Sequence, residues 1–280
     1  MSLLLTASST LGFSASTVGS EPNPPQWPDS VHVFGPGDDA LCASVAADIF
    51  KTNGGMTPED NGQFVSGRYA LLFKPGSYSC PVPVGFYTQV LGLGASPDDV
   101  VFTDSKGVHC EEGAKMPKIG ALDSFWRGAE NFKTEANFAW STGTGMLWAV
   151  SQAAPLRRVH VTNDLALYEY EPPWGAAGFA SGGFLADSLV DGSTLAGSQQ
   201  QWLARNAKVG DKWKGGVWNP VFVGVEGAPA AHCGLKDPAV AAPTTPAIAE
   251  KPYLSVDAAD RWSLVRRRKA GGREPQAQAG

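Results

Sequence analysis

The 280-residue chain is poor in charge: Asp, Glu, Lys and Arg make up 18% of it, and the net charge is −5. So thin a field excludes the basic footprint by which nucleic-acid binders are recognised, and no nucleic-acid partner is expected. No apolar run approaches the ~18 residues of a membrane-spanning helix, so no membrane partner is expected either. The four histidines, at 32, 109, 160 and 232, stand singly without an H-x-x-x-H pair, which gives a metal site no support. No G-x-S-x-G elbow, phosphate-binding loop or G-x-G-x-x-G context occurs, and Gly92-Leu-Gly94 leads into Ser-Pro rather than a helix. Nucleotide chemistry is disfavoured, and no cofactor is expected.

Glycine and tight turns are what the chain has in quantity. It holds 33 Gly and 21 Pro, a composition that suits many short strands joined by turns. The most informative stretch runs from Arg68 to Gly94. Leu71, Leu72 and Phe73 form an apolar run, Lys74-Pro75-Gly76 is a turn signal, and branched and aromatic residues resume from Val84 to Gly94. The Gly92-Leu-Gly94 end reads as a strand whose backbone is closely approached by its neighbours. Upstream, Leu41, Val45, Ala46 and Ile49 recur at three- and four-residue steps, predicting a short helix over Asp38–Phe50 that shields the open edge of the first coil. Asp38 or Asp39 is its N-cap and Asn53-Gly54-Gly55 its stop. Short strands and glycine turns with no helix between them predict an all-β chain, a right-handed parallel β-helix (a solenoid) with a short N-terminal capping helix.

Gly37-Asp38-Asp39, the short helix, "LLFKPGSY" and "TQVLGLG" resemble the first coil of the pectin-lyase-like β-helix superfamily, departing from its pattern at Lys74. Through "AVSQAAPLRRVHV", "ASGGFLADSLVDG", "SQQQWLARN" and "GGVWNPVFVGVEGAP" the chain also looks like a poorly characterised group of secreted bacterial β-helix proteins, some with discoidin-like carbohydrate-binding domains. The resemblance implies a carbohydrate-active protein and carries no mechanism residue by residue. A capping helix over the first coil makes Cys42 and Cys80 neighbours, leaving Cys110 and Cys233 as a long-range pair or as free thiols. Residues 1–30 read as a leader and extended arm, 31–257 as the β-helix and 258–280 as a disordered basic tail around Arg266-Arg-Arg-Lys269. The stretch 103–120 reads as a loop inserted between coils. The apolar start is signal-like, though it lacks a cationic head, and points to a secreted protein. With no amphipathic segment to cap its far end, the sequence reads as a fragment or as one whose C-terminus is displaced.

Stacked coils place equivalent residues in columns about 5 Å apart, so carboxylates on neighbouring coils fall at the separations glycosidases use. The catalytic candidates are Asp187, Asp191 and Glu130. A loose register aligns Phe184, Trp202 and Trp218 as segment openers, with Asp187 equivalent to Arg205. Trp202, Trp213 and Trp218, with Arg158, Arg205 and Gln200, form the candidate substrate surface, on the argument that aromatic planes receive sugar rings. The plainer alternative pairs Asp187 with Arg205 on the surface and packs the tryptophans inside. The expected activity is hydrolysis of a polysaccharide by paired carboxylates. A non-catalytic polysaccharide-binding module and a uronate lyase using Arg157-Arg158 or the lysines at 208, 212 and 214 are the alternatives.

Overall fold

A computed structural model describes residues 22–55, 62–111, 121–171, 176–216, 218–234, 238–246, 248–266 and 268–269. The candidate leader (1–21), part of the expected inserted loop (112–120) and the end of the tail (270–280) lie outside these residues.

The chain is mostly β, organised on one long parallel sheet. Its strands follow one another in chain order: β1 (Val31–Phe34), β2 (Tyr69–Phe73), β3 (Thr88–Gly92), β4 (Gly128–Thr134), β5 (Pro155–Val161), β6 (Gly183–Ala186), β7 (Trp202–Arg205), β8 (Pro220–Val223) and β9 (Val240–Ala242). Gly76–Tyr78, Val100–Phe102 and Leu189–Val190 extend the same sheet. A second sheet is built from Gly143–Leu147, Asp164–Ala166, Thr194–Gly197 and Trp213–Gly215 in parallel, with Ala139–Trp140 folded back antiparallel at its edge. From β5 to β8 the chain alternates between the sheets, so each pass adds one strand to both.

Side chains alternate across a strand, and the register turns that alternation into columns. Leu71, Val90, Ala129, Leu156, Leu185, Ala204 and Phe222 align on successive strands and are all buried. Aromatic packing thickens this core near its start, where Phe34 stacks on Phe73 at 5.0 Å and Phe73, Phe102 and Phe132 follow edge to face at 4.8 and 5.3 Å. The expected close approach at Gly92 is present: a Cβ there would lie 1.8 Å from the Asn131 carbonyl oxygen.

Leu185, Ala204 and Phe222 set the pass at 19 and then 18 residues, which corrects the register read from sequence. Phe184 aligns with Leu203, while Trp202 aligns with Gly183 and Pro220. A slip of one residue moves a side chain to the opposite face. Phe184 therefore faces outward and Trp202 inward, where the Trp202 ring covers Gly183 and is 2% exposed. Asp187 likewise stands one place beyond the position of Arg205.

The helix α1 spans Asp39–Asn53, three residues past the expected end. Its buried face is Cys42, Ala46, Ile49 and Asn53, whereas Leu41 is exposed. Asp38 stands at the N-cap without capping; its carboxylate accepts from the Gly35 amide at 2.7 Å, and that of Asp39 from the Ser79 amide at 2.6 Å. Asn53 continues the seam, donating to the Phe86 carbonyl at 2.9 Å. Cys42 and Cys80, expected as neighbours with a helix lying over the first pass, are joined in a disulfide. Cys110, buried, and Cys233, exposed, are free.

Beyond β9 the chain turns back as a strap along the stack. Thr245 donates to the Val223 carbonyl at 3.1 Å, Glu250 meets Arg205 at 2.6 Å, Lys251 meets Glu130 at 2.5 Å, and the Tyr253 hydroxyl donates to the Ala95 carbonyl at 3.0 Å. The strap ends in an antiparallel hairpin, Tyr253–Val256 against Trp262–Val265, which carries the ordered fold past the boundary expected at 257. There Asn23 of the N-terminal arm exchanges two hydrogen bonds with the Trp262 backbone, and Trp27 packs on the Trp262 ring at 5.4 Å. Both ends of the stack are thereby tied together. The described helices include none long and apolar enough to cross a membrane.

Candidate functional site

The outer face of the long sheet is concave over β2 to β5 and holds a groove of about 690 Å³, within the size range of sugar and cofactor sites. Glu130, Arg157 and Lys251 form its polar side; Arg68, Tyr87 and Trp126 form its aromatic side. A second hollow of about 610 Å³ continues over β5 to β7 and shares Ala153, Pro155 and Arg157 with the first.

The aromatic side is a column in register. Tyr69 pairs with Thr88 and Gln89 with Gly128, so Arg68, Tyr87 and Trp126 occupy equivalent positions just before three successive strands. The Tyr87 amide donates to the Trp126 carbonyl at 2.6 Å. The Arg68 guanidinium lies 3.4 Å from the Tyr87 ring centroid, and the Tyr87 and Trp126 rings stack at 5.4 Å and 10°. Tyr87 and Trp126 both have left-handed backbone, φ +55° and +51°. A bulky residue held there stores about 1–3 kcal/mol of strain. Trp126 stands only four residues before Glu130, yet the expected sugar surface takes Trp202, Trp213 and Trp218; the missed signal is an aromatic in the turn leading into each strand, carried by "GFYT" and "FWRG".

On the polar side the sheet lines up Glu130, Arg157, Ala186, Arg205 and Val223 as one outward column. Burial weakens the hold of Arg157 on its proton, neighbouring Arg205 adds to that, and Glu130, Glu250 and Asp187 oppose it. The guanidinium remains charged. It covers the Phe184 ring at 4.5 Å, and Arg205 approaches the same ring at 5.3 Å.

The three candidate acids are not gathered here. Glu130 is the only carboxylate among the described residues lining the groove, and Lys251 holds it. Asp187 is buried in the left-handed turn after β6, two strand spacings away, about 10 Å of backbone. Asp191 lies past that turn, with His160 Nε2 at 3.0 Å and Asp98 on the other imidazole nitrogen at 2.6 Å. Asp187 thus belongs to a column of left-handed residues with Asn131 and Arg158, which lie within β4 and β5, and Asn206, which like Asp187 directly follows its strand.

Most candidate binding residues have structural tasks. Arg158 is buried and donates to Asn131 Oδ1 at 3.1 and 2.9 Å, with Tyr253 over its guanidinium at 3.9 Å. Asn131 in turn donates to the Gly92 and Gly94 carbonyls, both at 2.8 Å. Trp213 packs edge-on against core Phe222 at 4.9 Å. Trp218 is exposed but lines neither hollow, and half-buried Gln200 lines neither. Its neighbour Gln199 is buried and holds three backbone groups. Arg205 does reach the outer face but pairs with Glu250, not Asp187. Of the cations considered for a lyase, Lys208 faces Glu226 at 3.9 Å and only Arg157 lines the groove. No group of three or more potential metal ligands occurs among the described residues.

No family model matches the chain. Its sequence is similar to a curated exo-beta-1,3-glucanase of Streptomyces sp. (strain SirexAA-E / ActE), 43% identical over 216 residues that make up 77% of this chain and 33% of the relative. Among solved structures it is similar to sacteLam55A from Streptomyces sp. SirexAA-E, at TM-score 0.72 and 38% identity over 86% of this chain and 40% of that one. A variant of sacteLam55A in complex with glucose matches at TM-score 0.72 and 37% identity, over 90% of this chain and 42% of that one. The chain thus spans about a third of the length of the curated relative. These findings replace the likeness to the poorly characterised discoidin-bearing group with a likeness to an exo-beta-1,3-glucanase, and no family model supports the assignment to the pectin-lyase-like superfamily. The motif "LLFKPGSY" forms the second strand of the long sheet and the turn after it.

Proposed function

We propose that the chain is the sugar-binding β-helical part of a secreted glycoside hydrolase acting on β-1,3-glucan, with the groove over β2 to β5 receiving the glucan. The observation that carries this reading is the 43% identity to an exo-beta-1,3-glucanase, over a stretch that includes most of this chain. We read the stack itself as a right-handed parallel β-helix: each pass adds a strand to both sheets, and parallel crossovers take the right hand in nearly all proteins. The Cys42–Cys80 disulfide supports an oxidising, extracellular setting.

Hydrolysis of a glycosidic bond needs two carboxyl groups, ~5–5.5 Å apart for retention or ~6.5–9.5 Å for inversion. On this reading Glu130 is one of them and Lys251 orients it; the second comes from outside the groove-lining residues. The wider charge layout fits a neutral polymer, because Lys251 and Arg205 on the outer face are already matched by Glu130 and Glu250 instead of being left for a uronate.

The test is to incubate the 280-residue chain with a linear β-1,3-glucan and follow glucose release by anion-exchange chromatography. Release from β-1,3- but not β-1,4-glucan, abolished by Glu130→Gln, is expected. Glucan binding with no glucose released would overturn the hydrolase assignment, and release unchanged in Glu130→Gln would remove that residue from the chemistry.

A further inference from the structure

The column Arg68–Tyr87–Trp126 stops abruptly, and open space lies beyond it. In the register of β4, β5, β6 and β7 the next equivalent positions are Ala153, Gly182 and Gln201. The backbone confirms the order: the Arg127 amide donates to the Ala153 carbonyl, the Gln152 amide to that of Gly182, and the Gly183 amide to that of Gln201. Strands are spaced ~4.8 Å apart, so Trp126 and Gln201 stand about 14 Å from each other along the stack, with one methyl and one hydrogen as the side chains between them. One face of the Trp126 indole is covered by Tyr87, in near-parallel contact, and Phe125 and Phe86 meet the ring at a tilt, at 5.5 and 6.4 Å; the face away from Tyr87 is on the Ala153 side of the column. The residue remains 42% exposed. The gap joins the two hollows, since Trp126 and Ala153 line the first and Ala153, Gly182 and Gln201 line the second.

We infer that this slot is a hexopyranose subsite, in which a neutral glucosyl ring stacks on the open face of Trp126 and takes the place in the column that Ala153 and Gly182 leave empty. The slot calls for a ligand that is flat, thick enough to fill one or two strand intervals, apolar on its faces and polar round its rim. A pyranose meets all four demands. Its axial C–H face covers the indole, and its hydroxyls reach the polar groups at the slot edge. Those groups are Arg157, which lines both hollows, and the side-chain amides of Gln152 and Gln201.

A second observation separates this role from packing. Trp126 sits at φ +51°, a conformation glycine adopts freely and an aromatic residue adopts under strain. The equivalent turn two passes on uses Gly182, at φ +90°. Ala153 between them is also left-handed, at φ +49°, so the column keeps this backbone whether its residue is large, small or glycine, and the turn itself does not call for a ring at 126. Arg68 and Tyr87, stacked behind, fix the plane of the indole so that the binding face is formed before the sugar arrives. Preorganisation of this kind raises affinity by removing an ordering step.

The inference rests on the glucan reading proposed above, and the experiment separates the two. Binding of β-1,3-linked glucohexaose and of β-1,4-linked cellohexaose to the whole chain is measured by titration calorimetry for the wild type, Trp126→Gly and Trp126→Phe. Thermal melts run in parallel. Trp126→Gly is expected to bind β-1,3-glucohexaose about tenfold or more weakly while melting within a few degrees of the wild type, because the change relieves strain. Trp126→Phe, which keeps a ring face, is expected to retain most of the affinity. Should the glycine variant melt early, Trp126→Asn, also tolerant of left-handed backbone, provides the same reading. Wild-type affinity in Trp126→Gly overturns the subsite and leaves the glucanase reading standing. Binding of cellohexaose alone, lost in Trp126→Gly, upholds the subsite and overturns the β-1,3-glucan reading. A wild type that binds neither oligosaccharide overturns the subsite.

Discussion

Replacing both Cys42 and Cys80 by alanine tests how firmly the helix α1 is bound to the stack. The bond joins residues 38 apart in sequence. In the chain-entropy account, opening a loop of that length restores enough freedom to the unfolded chain to destabilise the fold by about 4 kcal/mol at 25 °C. Alanine rather than serine isolates the effect, because both sulfurs are buried and a serine hydroxyl there would add the penalty of an unmatched polar group. For a fold of this size 1 kcal/mol shifts the melting temperature by ~2–4 °C, so the double variant should melt about 8–15 °C lower. The loss should also be uneven. Apart from the disulfide, α1 is held by Ala46, Ile49, the bond from the Ser79 amide to Asp39 and the Asn53 hydrogen bonds, so its amides should exchange faster than those of β3 and β4. Urea unfolding gives the free energy, and hydrogen exchange by mass spectrometry over residues 39–53 gives its location. A loss below about 1 kcal/mol, or a fall in stability with α1 no less protected than β4, would refute the reasoning.

Three further outcomes follow from the packing. Cys110 is buried, and burial pushes its thiol up from 9.0 to about 11, against a smaller opposing pull from Arg127. Iodoacetamide at pH 8 should label Cys233 alone in the native chain and both thiols after denaturation, as read by mass spectrometry. Because the folded thiol holds its proton more tightly than the unfolded one, its contribution to stability is complete below pH 9 and is lost as the pH rises through about 11. Gly92→Ala should cost more than about 3 kcal/mol or prevent folding, since the new methyl would meet the Asn131 carbonyl oxygen at 1.8 Å, a backbone atom that cannot move aside. Gly128→Ala, with its nearest contact at 3.5 Å, should cost under about 1 kcal/mol in the same urea experiment. Asn131→Gly keeps the left-handed backbone but leaves two carbonyls and the Arg158 guanidinium without their Asn131 partner, so unfolding in urea should show a loss of about 2–4 kcal/mol. A loss below about 1 kcal/mol would show that water replaces the amide there.

The architecture is legible in the sequence because its signals are local. The apolar triplet Leu71–Phe73 and the turn at Lys74–Gly76 each specify structure within a few residues, the glycine at 92 announces a close approach without naming the partner, and the helix over Asp38–Phe50 follows from a short period. The register is not legible to better than one residue, and in a strand one residue is the whole difference between core and surface. Trp202 is therefore expected on the outer face and lies beneath it, while Phe184 and Arg157 line the outer face. The site is hidden for a related reason. Trp126 meets Tyr87 only through the stacking of two separate passes, and Glu130 meets Lys251 across 121 residues, with nothing in either local stretch to announce the partner. The acids at 187 and 191 look like a pair because they are near in sequence, yet a left-handed turn separates them.

The strap from Thr245 to Trp262 changes how a stack of this kind can come apart. An open array of repeats held by nearest-neighbour contacts frays from either end, and each terminal repeat is as weak as its single interface. Here a segment that follows the passes in sequence lies across them and seals against the first, so neither end of the stack is free to peel. Loss of one end would have to release Glu250, Lys251 and Tyr253 along the whole length, making the stack a closed circuit that opens all together. During synthesis the circuit is still open: β1 to β8 are complete before their clasp exists. The nascent chain passes through a long interval in which the outer face is formed but unlocked, and its slowest folding step should be closure of the strap.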